Sequence, residues 1–121
     1  MARYPFDPMT KPDKNTEAEL LQGTLDMLIL KIVAREPLHG YGIVQRIEKI
    51  SKDALQIRQG SLYPALYRLE KKKLLEAEWK TTEGGREAKY YKLTRAGRQQ
   101  LENETAGWKR LSDAVGLILE T

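Results

Sequence analysis

The chain has 121 residues, of which 31% are charged and 40% hydrophobic, with a formal net charge of +4. This length suits one domain with a modest core, and the absence of cysteine excludes disulfides, thiolate metal sites and thiol nucleophiles. The most apolar stretch, residues 20–34, is interrupted by Asp26 and Lys31 and is shorter than the ~20 residues of a membrane helix. Because residues 1–14 also lack a signal-peptide pattern, we expect a soluble, cytoplasmic protein.

The first part of the chain predicts an arm followed by a helix that is apolar on two sides. Three prolines near the N-terminus predict a flexible arm over residues 1–15. Residues 19–35 then carry apolar side chains at helical spacing in one stripe: Leu21, Leu25, Leu28, Ile29 and Ile32. Met27 and Leu30 lie outside this stripe, and a helix that is apolar on two sides is packed on two sides. We therefore expect Met27 and Leu30 to contact a second partner.

Residues 40–50 predict a second, supporting helix, because Ile43, Val44, Ile47 and Ile50 share one face. His39 precedes it and is the single histidine of the chain. No second ligand type stands at metal spacing, so bonding to nearby backbone is favoured over proton transfer or metal binding. In the link that follows, the alternation of residues 55–57 predicts a short strand against a hairpin further along the chain.

The segment Gly-Ser-Leu-Tyr-Pro-Ala-Leu-Tyr-Arg-Leu, residues 60–69, predicts a helix that buries one face and exposes tyrosines and cations on the other. Ser61 is the predicted N-cap, which starts the helix at Leu62 and places Pro64 in the first turn. One stripe carries the apolar side chains Leu62, Ala65, Leu66 and Leu69. The opposite side carries Tyr63, Pro64, Tyr67, Arg68 and Lys71. A solvated surface is the alternative interpretation of that polar side.

Two alternating segments, residues 74–80 and 88–93, predict half-buried strands. The turn residues between them centre on Gly84-Gly85, so the strands should close as a hairpin. A helix followed by a hairpin is typical of a winged helix-turn-helix, and the fold class predicted is mainly α with this small hairpin. Between Arg58 and Arg98 the chain carries eleven Lys and Arg against five Glu, a net +6, whereas the remainder carries −2. A basic segment of this kind is the charge pattern expected for phosphate contact.

With these motifs in place, the chain resembles the PadR family of bacterial transcriptional regulators. The resemblance runs from Leu20 to about Gly97 and rests on the order and spacing of five stretches: Leu-Gln-Gly-Thr-Leu-Asp at 21–26, His-Gly-Tyr-Gly at 39–42, Gly-Ser-Leu-Tyr-Pro-Ala-Leu at 60–66, Ala-Lys-Tyr-Tyr-Lys-Leu-Thr at 88–94 and Ala-Gly at 96–97. The family implies a winged-helix repressor that dimerises through its last helix and contacts operator DNA through the recognition helix and the wing. Many relatives carry Gly where this chain has Lys73, and relatives tend to have a more basic wing than the one that Glu83 and Glu87 flank here.

The C-terminal helix is predicted to begin after Thr94 as N-cap and to mediate dimerisation. Its positions step by four and three in a seam typical of coiled coils, with Leu111 and Ile118 beside it: Leu101, Thr105, Trp108, Ser112, Val115 and Leu119. A regular apolar stripe on the last element points to another subunit. Folding back on its own domain is the alternative, because Gly107 and Gly116 each weaken the helix by about 1 kcal/mol.

These patterns lead to one functional hypothesis, a homodimeric, sequence-specific DNA-binding regulator, most simply a bacterial repressor on a pseudo-palindromic operator. Its domains are the winged helix, residues 16–93, and the dimerisation helix, residues 94–121. The predicted DNA contacts are Ser61, Tyr63, Pro64, Tyr67, Arg68, Lys71, Lys80, Arg86 and Lys89. The predicted dimer interface comprises Met27, Leu30, Leu101, Trp108, Leu111, Val115, Ile118 and Leu119. Following the family, a paired Trp108 is also the candidate site for a small, flat aromatic effector.

Catalysis has no basis in this sequence. Glu19 and Asp26 are the most suggestive carboxylate pair, but they lie too far apart along a helix for joint acid–base work. No phosphate-binding loop or nucleophile elbow is present, and we expect no enzyme activity, metal or cofactor. The competing hypothesis is a ligand-binding or protein-interaction dimer that uses the same fold without specific DNA readout.

Overall fold

The structure, a computed structural model, describes the backbone of residues 14–121 and the side chains of residues 23–121. The elements follow in the order α1 Lys14–Val33, β1 Leu38–His39, α2 Gly40–Ile50, α3 Gln59–Lys71, β2 Leu75–Thr81, β3 Glu87–Leu93 and α4 Arg95–Leu119. Nearly all of the arm predicted over residues 1–15 lies outside the described residues. Among the described helices, none is long and apolar enough to cross a membrane.

The small sheet has the antiparallel strand order β1-β3-β2. Strands β2 and β3 pair along their whole length from Leu75 opposite Leu93 to Thr81 opposite Glu87, which confirms the predicted hairpin. The third strand is not the one predicted. Leu38 and His39 pair with Tyr91 and Tyr90, and they occupy the free edge of β3.

Residues 55–57 do not form a strand because the end of helix α2 takes up their backbone donors. The Leu55 N–H donates to the Ser51 hydroxyl at 3.1 Å, and the Ile57 N–H donates to a Glu48 carboxylate oxygen at 3.2 Å. An N–H bound to a side chain cannot join a strand ladder. The alternation of Leu55, Gln56 and Ile57 therefore reflects partial burial of Leu55 and Ile57 in a loop.

His39 has the structural role that its position predicted. Its Nδ1 accepts the Gly42 N–H at 3.0 Å and so caps helix α2. Its ring also lies edge-on to Tyr90 at 5.2 Å and stacks against Tyr41. Helix α2 itself spans the predicted residues 40–50, because its apolar face and this cap agree.

Helix α3 begins earlier than predicted, and Ser61 is not its N-cap. Arg58 holds the N-cap position in an extended conformation and makes no side-chain capping bond, while the Ser61 N–H donates to the Arg58 carbonyl at 3.0 Å. Pro64 consequently lies in the second turn, where its ring nitrogen cannot donate to the carbonyl of Gly60. Gly60 is exposed, so water can satisfy that carbonyl.

The core lies between the three helices of the winged helix, the sheet and the start of α4. Its buried members are Leu25, Ile29, Leu30, Val33, Ile43, Ile47, Leu62, Ala65, Leu66, Leu69, Leu75, Tyr91 and Leu101. Two predicted interface residues belong to this core, which corrects their assignment. Leu30 is 0% exposed in the single chain, and Leu101 is buried as well. Helix α1 is packed on two sides by its own chain, so Leu30 has no need of a second subunit.

Helix α4 is joined to the end of α3 through its first turn. The Thr94 hydroxyl accepts the Gly97 N–H at 2.9 Å, which confirms the predicted N-cap, and donates to the Lys73 carbonyl at 2.7 Å. The Thr94 N–H also donates to the Leu74 carbonyl. Beyond Leu101, the side chains of α4 are mostly exposed, so only its first two turns belong to the winged-helix core.

Candidate nucleic-acid interface

Helix α3 lies between two flanking elements and leaves one face open. Its buried residues Leu62, Leu66 and Leu69 face the core. The opposite, exposed face carries Gly60, Pro64, Tyr67 and Lys71. Gly60 has no side chain and that of Pro64 is small, so little projects from the first half of this face. Tyr67 and Lys71 project from the second half. The Lys71 ammonium lies 5.9 Å from the centre of the Tyr67 ring, so the two side chains form one cationic and aromatic unit.

Tyr63 connects the start of α3 to the start of α2. A Cβ added to Gly40 would stand 3.3 Å from Cε1 of the Tyr63 ring, so the ring lies directly over the glycine backbone. About half of Tyr63 remains exposed, and its hydroxyl lies at the junction of the two helices. The Gly60-Ser61-Leu62-Tyr63 and His39-Gly40 motifs are therefore in physical contact, and a side chain at position 40 would press against the Tyr63 ring.

Arg68 is directed toward helix α1 rather than toward the exposed face. Its Nη2 lies 3.0 Å from Oδ1 of Asp26, which is largely buried. Burial raises the pKa of the Asp26 carboxyl, and the Arg68 guanidinium partly opposes this. Because an unpaired charge in a partly buried site is costly, the Arg68 guanidinium offsets the cost of ionising Asp26 at the edge of the core.

Lys89 is held on the other flank of α3. Its ammonium lies 2.8 Å from Oε1 of Glu70 and 5.6 Å from the centre of the Tyr91 ring. The hydrogen bond to Glu70 raises the pKa of Lys89, while burial raises the pKa of the Tyr91 hydroxyl. Lys89 thus remains a cation that is bound to helix α3.

The hairpin of strands β2 and β3, here called the wing, carries the remaining predicted cations. Its turn is closed by bonds from the Thr82 N–H to the Arg86 carbonyl at 2.7 Å and from the Gly85 N–H to the Thr82 carbonyl at 3.0 Å. Gly85 has a φ of +83°, which explains the glycine there. Arg86 is exposed at the end of this turn, between the exposed carboxylates of Glu83 and Glu87. Lys80 lies 3.9 Å from Glu78, on the outer face of the wing.

Helix α4 presents an apolar stripe that nothing in the single chain covers. Trp108 is 48% exposed, and the apolar residues that follow it in or beside the seam, Leu111, Val115, Ile118 and Leu119, are also exposed. Leu117 is exposed on the opposite side of the same helix. Met27 of helix α1 is half-buried against the core and retains some accessible surface.

Within residues 23–121, no group of three or more His, Asp or Glu side chains is arranged to hold a metal ion. The ion pairs around α3 and the wing are accompanied by a pair on helix α2, in which Arg46 lies 2.9 Å from Glu36. Comparison with known proteins then decides the family. The family model described as the transcriptional regulator PadR-like family matches residues 29–103. The chain belongs to the PadR-like family of transcriptional regulators.

Individual proteins are similar to this chain over most of its length. The chain is 30% identical over 103 residues to an uncharacterized protein of Lysinibacillus sphaericus, covering 85% of this chain and 94% of that protein. It is 30% identical over 97 residues to a transcriptional regulator of Mycobacterium tuberculosis, covering 80% and 87% respectively. Solved structures include a PadR-like transcriptional regulator from Bacillus cereus, with a TM-score of 0.73, 33% identity and coverage of 85% of this chain and 98% of that one. A PadR family regulator from Eggerthella lenta has a TM-score of 0.72 and 37% identity, covering 88% and 91%.

The PadR-like fold explains why Lys73 matters in this chain. Lys73 lies two residues after the end of α3 and has a φ of +62°, in the left-handed region that favours glycine. The Lys73 N–H donates to the Glu70 carbonyl and the Leu74 N–H to the Leu69 carbonyl, which is the Schellman arrangement of a helix C-terminus. The backbone at position 73 therefore has the conformation that favours glycine, although the residue here is lysine.

Three residues of this PadR-like surface were missed by sequence reasoning. Glu70 and Asp26 are the partners of two predicted DNA contacts, but they stand 19 and 42 residues from those partners, and no local pattern connects them. Trp79 is 66% exposed on the wing, directly opposite Lys89 in the strand register. Strand alternation could have indicated Trp79, since it continues the core-facing row beyond the point where the core ends.

Proposed function

We propose that the chain is a DNA-binding repressor that acts as a homodimer on a two-fold symmetric operator. The observation that carries the proposal is the exposed face of α3, where Tyr67 and Lys71 project between two flanks that are each closed by an ion pair. Few long side chains obstruct the first half of this exposed face, and its second half is cationic. Such a helix fits a DNA major groove.

The proposed contacts follow from exposure. Residues near the start of a recognition helix reach base edges, so Ser61, Tyr63, Pro64 and Tyr67 are the proposed readers. Lys71 lies more than a turn later and contacts phosphate. On the wing, Arg86 reaches an adjacent phosphate or minor groove, and Lys80 adds to the local positive potential. Arg68 and Lys89 are left out of this set because each makes a hydrogen bond, at 3.0 Å and 2.8 Å respectively, to a carboxylate of another element.

The homodimer is proposed from the uncovered stripe on α4. Trp108, Leu111, Val115 and Ile118 follow the three- and four-residue steps of a two-helix seam. Two copies of this stripe bury each other about a two-fold axis, and Met27 can extend the interface. The dimer then presents two α3 helices to half-sites about one DNA turn apart.

Repression follows from occupancy, because a dimer seated on an operator at a promoter excludes other proteins from it. Such a repressor acts in the bacterial cytoplasm, where its DNA lies. The direct test is selection of genomic fragments by the purified protein, followed by binding measurements on a recovered fragment at several salt concentrations. The proposal requires a recovered sequence with two-fold symmetry and affinity at least about a thousandfold above that for unrelated DNA. Equal affinity for unrelated DNA would favour the competing function, a dimer without sequence readout.

Control by a small aromatic effector is supported by one observation, the half-exposed indole of Trp108 in the middle of the seam. Two such indoles near a two-fold axis can enclose a flat aromatic ring. The alternative role of Trp108 is that of an interface anchor. Trp108→Ala separates the two: loss of the dimer indicates an anchor, whereas an intact dimer that no longer releases operator DNA on addition of a planar aromatic dye indicates a sensor.

A further inference from the structure

Helix α3 is tied to the rest of the molecule by one ion pair on each side of its exposed face. Arg68 binds Asp26 of α1 on one flank, and Glu70 binds Lys89 of β3 on the other. At about 3.6 residues per turn, Arg68 and Glu70 point about 160° apart around the helix axis. The face with Tyr67 and Lys71 lies between them.

The second pair lies where the apolar contact between wing and helix ends. Tyr91 is buried and Ala77, opposite it, is half-buried. Two residues further out, Lys89 stands opposite Trp79, and from that point β2 is exposed through to the turn. The Lys89 ammonium reaches back to Glu70 at 2.8 Å and lies 5.6 Å from the centre of the Tyr91 ring.

An antiparallel hairpin that projects beyond the core can tilt about its base, because its outer half has few apolar contacts. A tie between Glu70 and Lys89 at this point limits the tilt of the wing relative to α3. Two other cations of the wing form ion pairs within the wing itself, Lys80 with Glu78 and Lys92 with Glu76. These pairs do not connect the wing to α3.

We propose that Glu70 and Lys89 are positioning residues that set the wing at the angle to α3 at which both engage one DNA duplex. Lys89 then acts through Glu70 and makes no phosphate contact of its own. This inference rests on the proposed function, since it concerns how operator DNA is bound.

Removal of Glu70 distinguishes positioning from direct contact by the sign of its effect. If Lys89 contacts phosphate, Glu70→Ala removes a competing carboxylate beside DNA, and affinity rises. If the pair positions the wing, the same variant frees the wing, and affinity for the selected sequence falls by about tenfold, the cost of one lost base or phosphate contact. Glu76→Ala is the matched control, because it removes a glutamate paired with Lys92 at 3.6 Å on the other face of the wing.

The charge-swapped variant, Glu70→Lys with Lys89→Glu, provides the rescue. The swap restores the tie with reversed charges, so we expect binding within about threefold of the parent, whereas Lys89→Glu alone loses at least about tenfold. The probe is a duplex recovered from random-sequence DNA by the parent protein, and circular dichroism melts establish that each variant is folded at the binding temperature. The swap keeps the inference testable if Glu70→Ala does not fold.

The outcomes separate this inference from the function on which it rests. A parent protein that recovers no preferred sequence overturns both. A parent that binds its selected duplex, together with a Glu70→Ala variant that binds equally or more tightly, overturns the positioning role alone. A folded swap variant that binds no better than Lys89→Glu also overturns it.

Discussion

A side chain at Gly97 would collide with the backbone carbonyl oxygen of Leu74 and with the side chain of Leu93. Gly97 is buried in the first turn of α4, and Leu74 lies in the turn that ends α3. The same Leu74 carbonyl accepts the Thr94 N–H. The direction in which the C-terminal helix leaves the winged helix is therefore set by backbone against backbone, with no flexible side chain between them.

Gly97→Ala should consequently be among the more harmful single-methyl additions in this chain. Because backbone has to move, we expect a loss of about 2–3 kcal/mol in the free energy of unfolding, the upper part of the range for overpacking. Urea unfolding measures it. Gly116→Ala is the control, since a Cβ there meets no atom within 4 Å, and it should stabilise by up to about 1 kcal/mol. Equal effects at the two glycines would contradict the close approach.

Lys73→Gly should stabilise the protein by about 1 kcal/mol. Lys73 has a φ of +62°, a conformation that costs an L-residue about 1–2 kcal/mol, and glycine loses part of that gain through its greater freedom in the unfolded chain. Lys72→Gly removes the same charge from an adjacent position with a φ of −77°, so it should not stabilise. Thermal melts of both variants decide the matter, and a stabilised Lys72→Gly protein would show that charge rather than backbone is responsible.

Because Arg68 pairs with Asp26, we expect the stability lost in an Arg68→Ala variant to depend on pH. Burial raises the folded-state pKa of Asp26 above its usual value, so its ionisation disfavours the folded state. The stability that the protonated form contributes is present below the usual pKa and is lost as pH rises through the folded-state pKa. Arg68→Ala removes the opposing cation and should cost about 1–2 kcal/mol near neutral pH, discounted because about a third of Arg68 is exposed.

That deficit should shrink as pH falls toward the Asp26 pKa, because a protonated carboxyl needs no cation. It should also largely disappear in the double variant Arg68→Ala with Asp26→Asn. Urea titrations across this pH range provide the comparison. A deficit that is independent of pH would mean that Arg68 stabilises through packing of its stem.

On DNA, Lys71 and Lys92 should differ although both are exposed lysines. Lys71→Ala removes a cation from the exposed face of α3, so it should weaken binding to all sequences alike and lower the slope of log affinity against log salt by about 0.9. Lys92 lies on the outer face of the wing beside Glu76, and Lys92→Ala should leave the slope unchanged. Matching slopes for the two variants would argue that α3 is not the DNA-facing helix.

The seam of α4 makes a comparable contrast for assembly. Leu111→Arg or Val115→Arg places a charge in the stripe that carries Trp108 and should convert a dimer into monomers. Leu117→Arg introduces the same charge on the opposite side of the helix, where Leu117 is 68% exposed, and should leave the dimer intact. Sedimentation velocity distinguishes these states. A parent protein that sediments as a monomer at micromolar concentration would remove the proposed symmetric operator as well.

Periodicity and turn chemistry alone were enough to predict helices α2 and α4, the hairpin and the core face of α3. Each of these depends on contacts that every residue makes with near neighbours or with a generic apolar interior, such as the stripe of Leu62, Leu66 and Leu69. The His39 and Thr94 caps were also predictable, since a cap bonds an N–H only three residues away. The family could likewise be inferred from the order of short motifs.

Tertiary structure decided which cations remain available, where α3 starts and which strand completes the sheet. Arg68 and Lys89 have the same local sequence character as Lys71, but their carboxylate partners come from distant elements that only folding brings near. Residues 55–57 alternate as a strand does, yet Ser51 and Glu48 take their N–H groups. From the sequence, Leu30 and Trp108 were both predicted to contact a second subunit. Leu30 is covered because its part of helix α1 packs inside its own domain, whereas Trp108 lies beyond the reach of that domain and stays accessible.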